Sequence, residues 1–284
     1  MKALLDFDVL AYEVGFGSQF KTEDGEVVAR DLEDAILLLE HKINLIEEAV
    51  GSTEPSVLYL TGDERIRRHE NRTRKRNGDP PLPYKENFRI GMAKTVPYKD
   101  RPSTKPIHFH NLRSHALNHY QTKIAWGMEA DDLLGIDCLK DPDRLVVCTR
   151  DKDLHMLPCT VYGWEVHNQP EYGPVRHTEL GTLDKKGKST GWFQFYSQLI
   201  TGDSVDTIPG LPKCGPAKAF SVLQGCETEQ EMYDRVKALY QEKIGEGWQE
   251  YMQEQANLLY MVRELSEDGS PVLYLPPHIR KGKR

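Results

Sequence analysis

Three apolar runs in this chain end in carboxylates: "ALLDFDVL" (3–10), "SVLYLTGD" (56–63) and "RLVVCTRDKDL" (144–154). Runs this short and this rich in Leu, Val and Tyr read as strands buried on both faces, as in a parallel sheet. Helical spacing fills the gaps. After Asp31, which can cap a helix, Leu32, Ala35, Ile36, Leu39, Ile43, Ile46 and Ala49 recur every three or four residues up to about Val50. "NLRSHALNHY" (111–120) has the character of another helix, and "TVYGWEV" (160–166) reads as a fourth strand. Strands alternating with helices predict an α/β fold with a largely parallel sheet. Residues 168–190 carry Gly, Pro and Lys and read as a loop. From Gly191 onward the pattern is helical, through "WFQFYSQLI", "PAKAFSVL", "TEQEMYDRVKALYQEKI" and "WQEYMQEQANLLYMV".

In an open parallel sheet, ligands bind outside the carboxyl ends of the strands. Asp6 and Asp8 end or follow the first strand, Asp63 the second, and Asp151 and Asp153 the third. A further acidic group opens the helix "GMEADDLLGIDCL" (127–139), where Glu129, Asp131 and Asp132 precede an apolar run. One or two acids in a first turn serve the helix dipole. Three together, joined by the strand-end aspartates, repel one another unless a cation balances them. Hard oxygen donors in such number suit Mg²⁺ or Mn²⁺. A second acidic place is "LITGDSVDTIPGLPKCGPAKAF" (199–220), where Asp203 and Asp206 lie beside a Gly- and Pro-rich hairpin. Such a hairpin at a helix start offers backbone N–H groups to a phosphate, with Lys213 and Lys218 nearby.

The net charge is −7, yet residues 65–105 hold 13 Lys+Arg against 4 Asp+Glu. A basic segment on an acidic body is the footprint of a polyanion partner. "GDPPLPYK" (78–85) breaks any continuous helix within it. The five cysteines are odd in number and form no CxxC pair, which argues against a disulfide framework or a zinc site and for a reducing compartment. No apolar run approaches the ~18 residues of a membrane span. Asp6 and Asp8 inside the first apolar run argue against a signal peptide, so a cytoplasmic protein is expected.

Four blocks in order, "LLDFDVLAY", "GMEADDLLG", "VVCTRDKDLHML" and "GDSVDTIPGLPKCGPAKA", resemble the 5′ nuclease superfamily: flap endonucleases, the 5′ nuclease domain of bacterial DNA polymerase I and the bacteriophage 5′ exonucleases. The resemblance runs from residue 2 to about 222. It implies a PIN-like nuclease domain over 1–190 with a helical arch at about 62–110. A helical region with a helix–three-turn–helix element would follow over 191–284. Metal ligands are implied at Asp6, Glu129, Asp131, Asp132, Asp151, Asp153, Asp203 and Asp206, with Asp63 added by the strand-end argument. Asp8 falls where the family has a small residue.

Between these blocks, "NFRIGMAKTVPYKDRP" (87–102) is similar to the arch segment that clamps single-stranded DNA. Arg89 and Lys99 are thereby expected at the scissile phosphate, with Arg101 on the strand. Gly210, Lys213, Gly215 and Lys218 are expected on the duplex backbone. Lys213 replaces a hairpin glycine that often lines a K⁺ site. The activity implied is Mg²⁺-dependent 5′–3′ hydrolysis of DNA by two ions, with Mn²⁺ able to substitute. The alternatives are a flap endonuclease or RNase H-type enzyme acting on RNA–DNA hybrids, and a catalytically inactive DNA-binding scaffold. No polymerase segment follows in the sequence, which favours a stand-alone phage-type enzyme. His108 and His110 form an HxH pair, His155 follows Asp153, and Trp192, Phe193, Phe195 and Tyr196 form an aromatic stripe. These are read as packed or surface side chains.

Overall fold

The computed structural model describes residues 1–101 and 104–280, so Pro102 of the arch segment lies outside the described residues. Its elements begin with β1 (Lys2–Asp6), α1 (Phe7–Gly17), the small hairpin β2 (Gln19–Lys21) and β3 (Val27–Ala29), α2 (Leu32–Ala49) and β4 (Val57–Thr61). The basic segment contributes α3 (Glu64–Asn77) and α4 (Phe88–Met92). Next come α5 (Phe109–His119), β5 (Gln121–Ala125), α6 (Ala130–Lys140), β6 (Leu145–Cys148), a 3₁₀ turn at Asp153–Met156, β7 (Thr160–Gly163) and β8 (Tyr172–Arg176). The remainder is helical: α7 (Gly191–Thr201), α8 (Pro216–Leu223), α9 (Glu229–Ile244), α10 (Trp248–Leu259) and α11 (Pro277–Arg280).

Two compact units divide the chain. The first comprises Met1–Asn87, Ser103–Asp151 and Thr160–Val175; the second comprises Phe88–Pro102, Lys152–Cys159 and Arg176–Arg284. The first unit is built on a six-stranded sheet of order β5-β4-β1-β6-β7-β8. The pairs β5–β4, β4–β1, β1–β6 and β6–β7 are parallel. Period-two alternation assigns the faces. Ala3 and Leu5 of β1, Leu58 and Leu60 of β4, and Val146 and Cys148 of β6 join one cluster with Phe7, Leu10 and Val14 of α1, Leu39 and Ile43 of α2, and Leu112 of α5. The opposite face carries Tyr59, whose hydroxyl donates to Asp137 Oδ2 of α6 at 2.9 Å. Residues Ala3 to Asp6 of β1 are buried without interruption, as a strand covered on both sides must be. Each such Leu contributes on the order of 1.5–3 kcal/mol by leaving water.

The chain leaves β1 and returns to β4 on one side and β6 on the other, so β1 marks the place where strand order reverses. The apolar run at 3–10, expected as a single strand, changes to helix at Phe7. The cause is local: Asp6 caps α1, its Oδ1 accepting from the Val9 N–H at 3.3 Å. Strands β5 ("QTKIA") and β8 ("YGPVR") carry too little apolar character to register in the sequence, and β8 lies inside the stretch read as loop.

In the second unit α7 is buried from Gly191 to Ile200 and packs against α8, α9 and α10. Trp192, Phe193, Phe195 and Tyr196 are thus core, as expected. Buried hydroxyls find partners: Tyr196 with Tyr274 at 2.9 Å, and Tyr240 with the Leu199 carbonyl at 2.6 Å.

Gly163 ends β7 with the Tyr172 ring laid against it, where an added Cβ would fall inside the ring. The Tyr172 hydroxyl in turn donates to the Thr149 carbonyl at 3.3 Å. Gly163→Ala is expected to destabilise the protein by about 1–3 kcal/mol, read as a lower urea midpoint. An unchanged midpoint would contradict this packing.

Candidate metal centre

The first unit gathers its acidic residues at the carboxyl ends of β1, β4 and β6 and at the start of α6. Asp6 is only 3% exposed. Its Oδ2 accepts from the Thr149 hydroxyl at 2.8 Å, and that same hydroxyl oxygen accepts from the Asp151 N–H at 2.9 Å. Thr149 therefore ties the end of β1 to the turn after β6. Burial pushes the Asp6 carboxyl up to about 7, and nearby Asp151 and then Asp8 add to the rise against the pull of Thr149. Burial raises Asp8 as well, against Arg113.

Arg113 was not singled out from the sequence, although a lone cation on the buried face of α5, with Phe109, Leu112 and Ala116, is a legible signal. It is 5% exposed. Its guanidinium donates to Asp63 Oδ2 at 2.9 Å and to the Thr61 carbonyl, and pairs with Asp8 Oδ1 at 3.4 Å. Asp63 Oδ1 caps α3 through the Ile66 N–H at 2.8 Å. The Asp63 carboxylate is thus engaged by a cation and a helix end. Asp8 Oδ2 accepts from the Thr61 N–H at 2.7 Å, while its Oδ1 is buried with no hydrogen bond.

The Glu129 group is organised by the helix it opens. Glu129 and Asp132 form a reciprocal capping box, the Glu129 N–H donating to Asp132 Oδ2 at 3.3 Å. Asp131 Oδ1 accepts from the Asp132 N–H at 2.7 Å. The Thr61 hydroxyl accepts from the Ala130 N–H at 3.0 Å and so fixes the start of α6 to the end of β4. Asp132 is fully buried, whereas Glu129 and Asp131 are half-buried.

The second unit contains the other expected ligands. Asp203 is 3% exposed and accepts from Lys152 Nζ at 2.5 Å and Gln198 Nε2 at 3.1 Å. Gln198 Nε2 also donates to Asp153 Oδ1 at 2.7 Å. Burial pushes the Asp203 carboxyl up, but the Lys152 ammonium and the Val205 and Asp206 N–H groups outweigh it and hold the group below its ordinary range. Asp206 accepts from the Tyr98 hydroxyl at 2.9 Å and pairs with Lys99 Nζ at 3.5 Å. Lys99 thus meets a residue that sequence reasoning had placed among the metal ligands. Arg89, expected at a phosphate, is 3% exposed, and donates to the carbonyls of Leu258 and Tyr260 at 2.9 Å each. It anchors the C-terminal end of α10. Arg101, Lys213 and Lys218 are exposed. Gly210 donates to Gln255 Oε1 at 3.1 Å and accepts from the Tyr251 hydroxyl at 2.7 Å, while Gly215 caps α8.

Among the described residues, no three His, Cys, Asp or Glu side chains form a group that could hold a metal ion as they stand. The carboxylates are turned onto Thr149, Arg113, Lys152 and helix N–H groups. The donor chemistry of the first unit still fits a hard divalent cation: all-oxygen ligands, a buried Asp8 oxygen without a hydrogen bond, and a buried Asp6 whose charge its neighbours oppose. His108 Nε2 donates to the Arg30 carbonyl at 2.7 Å, and His155 packs on His177. All five cysteines are buried free thiols.

No family model matches the sequence, and no curated protein matches it. Solved structures do. A bacteriophage T5 protein co-crystallised with metal ions is similar at a TM-score of 0.53 and 14% identity, over 90% of this chain and 84% of that one. The bacteriophage T5 flap endonuclease in a pseudo-enzyme–product complex with DNA and metal ions gives 0.50 and 10%, over 90% and 98%. The chain has the fold of the phage T5 5′ nucleases. The T5 5′-exonuclease with zinc bound gives 0.50 and 11%, over 91% and 99%. The mixed α/β fold with its mostly parallel sheet, expected from the alternation of strands and helices, is thereby shown. Among the described residues no helix is long and apolar enough to cross a membrane.

A raised Asp6 makes a pH prediction. Between about pH 4 and 7 the unfolded chain loses a proton that folded Asp6 keeps, so metal-free stability contributed by this group falls as pH rises through that window. Asp203 acts lower, its stabilisation being lost as pH falls below about 4. In EDTA, wild-type Tm should fall more steeply between pH 4.5 and 7.5 than that of Asp6→Asn. Parallel profiles would contradict the assignment.

Proposed function

We propose that the protein is a divalent-metal-dependent nuclease that hydrolyses DNA from a 5′ end. The observation that carries this reading is the set of acidic residues, Asp6, Glu129, Asp131, Asp132 and Asp151, ranged along the carboxyl edge of the sheet beside β1. The likeness of the fold to phage nucleases, themselves solved with DNA and metal ions, supports it.

Asp6, Glu129, Asp131, Asp132 and Asp151 would hold the cation, Mg²⁺ or Mn²⁺, with Asp63 engaged by Arg113. Asp153, Asp203 and Asp206 are proposed as metal ligands carried by the second unit. A bound divalent ion supplies Lewis-acid activation of a phosphodiester and of the water that attacks it. The chain's own residues do the rest. Thr149 holds Asp6 and the Asp151 backbone in fixed relation, so Asp6 is oriented before a ligand arrives. Arg113 is shared by Asp8 and Asp63 and offsets part of the negative charge there. Exposed Arg101 and the partly exposed Lys99 are proposed to meet the single strand. Lys213 and Lys218 flank the start of α8, where N–H groups of the proposed helix–three-turn–helix would seat a duplex phosphate without reading bases. K⁺ at that hairpin is part of the same proposal.

Asp131→Asn is expected to abolish cleavage of a 5′-labelled duplex in Mg²⁺ while DNA binding in EDTA persists. Near-wild-type turnover in the variant would sink the metal-site assignment. Product lengths from a duplex and from a flapped substrate separate exonuclease from flap endonuclease action.

A further inference from the structure

The last turns of α5 read "HALNH" (115–119), with two histidines four residues apart. That spacing sets both side chains on one face of a helix, one above the other. In the structure the two imidazoles stack with centroids 4.4 Å apart and planes 26° from parallel. Helix α2 packs against α5, and its Glu40 reaches across to this face. His115 Nε2 donates to Glu40 Oε1 at 3.1 Å. All three residues belong to the first unit. The field at the end of α5 is negative, since burial and then the charges of Glu40 and Glu47 raise the Tyr120 hydroxyl above its ordinary pKa.

Two imidazoles and one carboxylate are a donor set suited to a borderline-soft cation, Zn²⁺, and a histidine pair at this helical spacing is a known way of presenting them. The distance agrees. A tetrahedral Zn²⁺ bonds nitrogen and oxygen at about 2.0–2.1 Å, which holds the two donor atoms about 3.3 Å apart. His115 Nε2 and Glu40 Oε1 already stand at 3.1 Å, so the ion can replace the bridging proton with little movement of either side chain. As the side chains stand, no ion is enclosed among them. The step that binding requires is a turn of the His119 ring, which is exposed at the end of the helix and has room for it. Glu40 is itself partly exposed, so water completes the fourth position. A surface ion pair contributes little and one imidazole would serve it; it leaves His119 without a role.

We infer that Glu40, His115 and His119 form a zinc-binding clamp that ties α2 to α5. The clamp lies away from the carboxylate centre. Strand β5 begins at Gln121, directly after α5, and runs parallel to β4, so the end of α5 sits at the amino edge of the sheet. The acids at the ends of β1, β4 and β6 sit at the carboxyl edge. Helix α5 also carries Arg113, which pairs with Asp8 and Asp63, so an ion held here steadies the helix that presents that guanidinium. The inference does not rest on the nuclease reading.

The test is a calorimetric titration of Zn²⁺ into the untagged full chain in a large excess of Mg²⁺, which competes for all-oxygen sites and is a poor partner for imidazole. Wild type is expected to bind Zn²⁺ at one site under these conditions and to melt at a higher temperature with the ion than without it. His119→Ala removes an exposed side chain at a helix end and leaves the core untouched. It should weaken the binding by about tenfold or more, and His115→Ala/His119→Ala should abolish it. Asp6→Asn should keep it. With Co²⁺ in place of Zn²⁺, the strong visible absorption of a tetrahedral site should appear in wild type and be lost in the double variant. No Zn²⁺ binding by wild type in excess Mg²⁺, or wild-type affinity in His119→Ala, would overturn the clamp. A loss in Asp6→Asn as large as in His119→Ala would place the ion at the carboxylate centre and overturn it equally.

Discussion

Crowding carboxylates at the carboxyl ends of parallel strands is the constraint around which the first unit is arranged. Like charges held at a few ångströms in a poorly solvated place repel by several kcal/mol unless countered. The molecule counters part of that repulsion itself. Arg113 sits buried between Asp8 and Asp63, and the N-termini of α1, α3 and α6 turn N–H groups toward Asp6, Asp63 and Glu129. What these devices leave is visible at Asp6, where burial beside Asp151 and Asp8 lifts the carboxyl to about 7. A divalent cation is the counter-charge proposed for it.

The sheet explains why the charges meet at this place. With β1 between β4 and β6, successive crossovers carry the chain away on opposite sides, and the strand ends nearest the reversal are those of β1, β4 and β6. Each supplies an acid at or just beyond its last residue. Thr61 and Thr149 are the small couplings that set their spacing. The first receives N–H donors from α6 and serves Asp8, and the second links Asp6 to the Asp151 backbone. The second unit repeats the theme with its own cations, Lys152 on Asp203 and Lys99 beside Asp206. The basic helix α3 lies on the same unit as the carboxylates of the strand ends.

Much of this arrangement was legible in the residues. The strand-end carboxylates could be read because buried strands must be apolar, so an acid at their tips stands out. The α6 start was read from three acids ahead of an apolar run. The aromatic stripe of α7 was read as core because its spacing is helical. Three things were not legible. Asp6 caps a helix, and an apolar run does not reveal where strand gives way to helix. Strands β5 and β8 are polar, so periodicity does not reveal them. The partners of Arg89 and Lys99 are the third: the fold buries the first on the carbonyls of Leu258 and Tyr260, and sets the second beside Asp206. Such pairings join residues more than a hundred positions apart and leave no local trace in the chain.

The central claim, that the buried Asp6 centre is a divalent-cation site, is tested most directly by titrating Mn²⁺ into the protein near pH 7 without DNA, in buffers of different ionisation enthalpy. If Asp6 is a ligand with its carboxyl near 7, binding displaces about half a proton per ion, and the observed heat varies with the buffer. In Asp6→Asn that proton release should vanish and the affinity should fall. No binding to the wild type, or a heat independent of buffer in both proteins, would contradict the account.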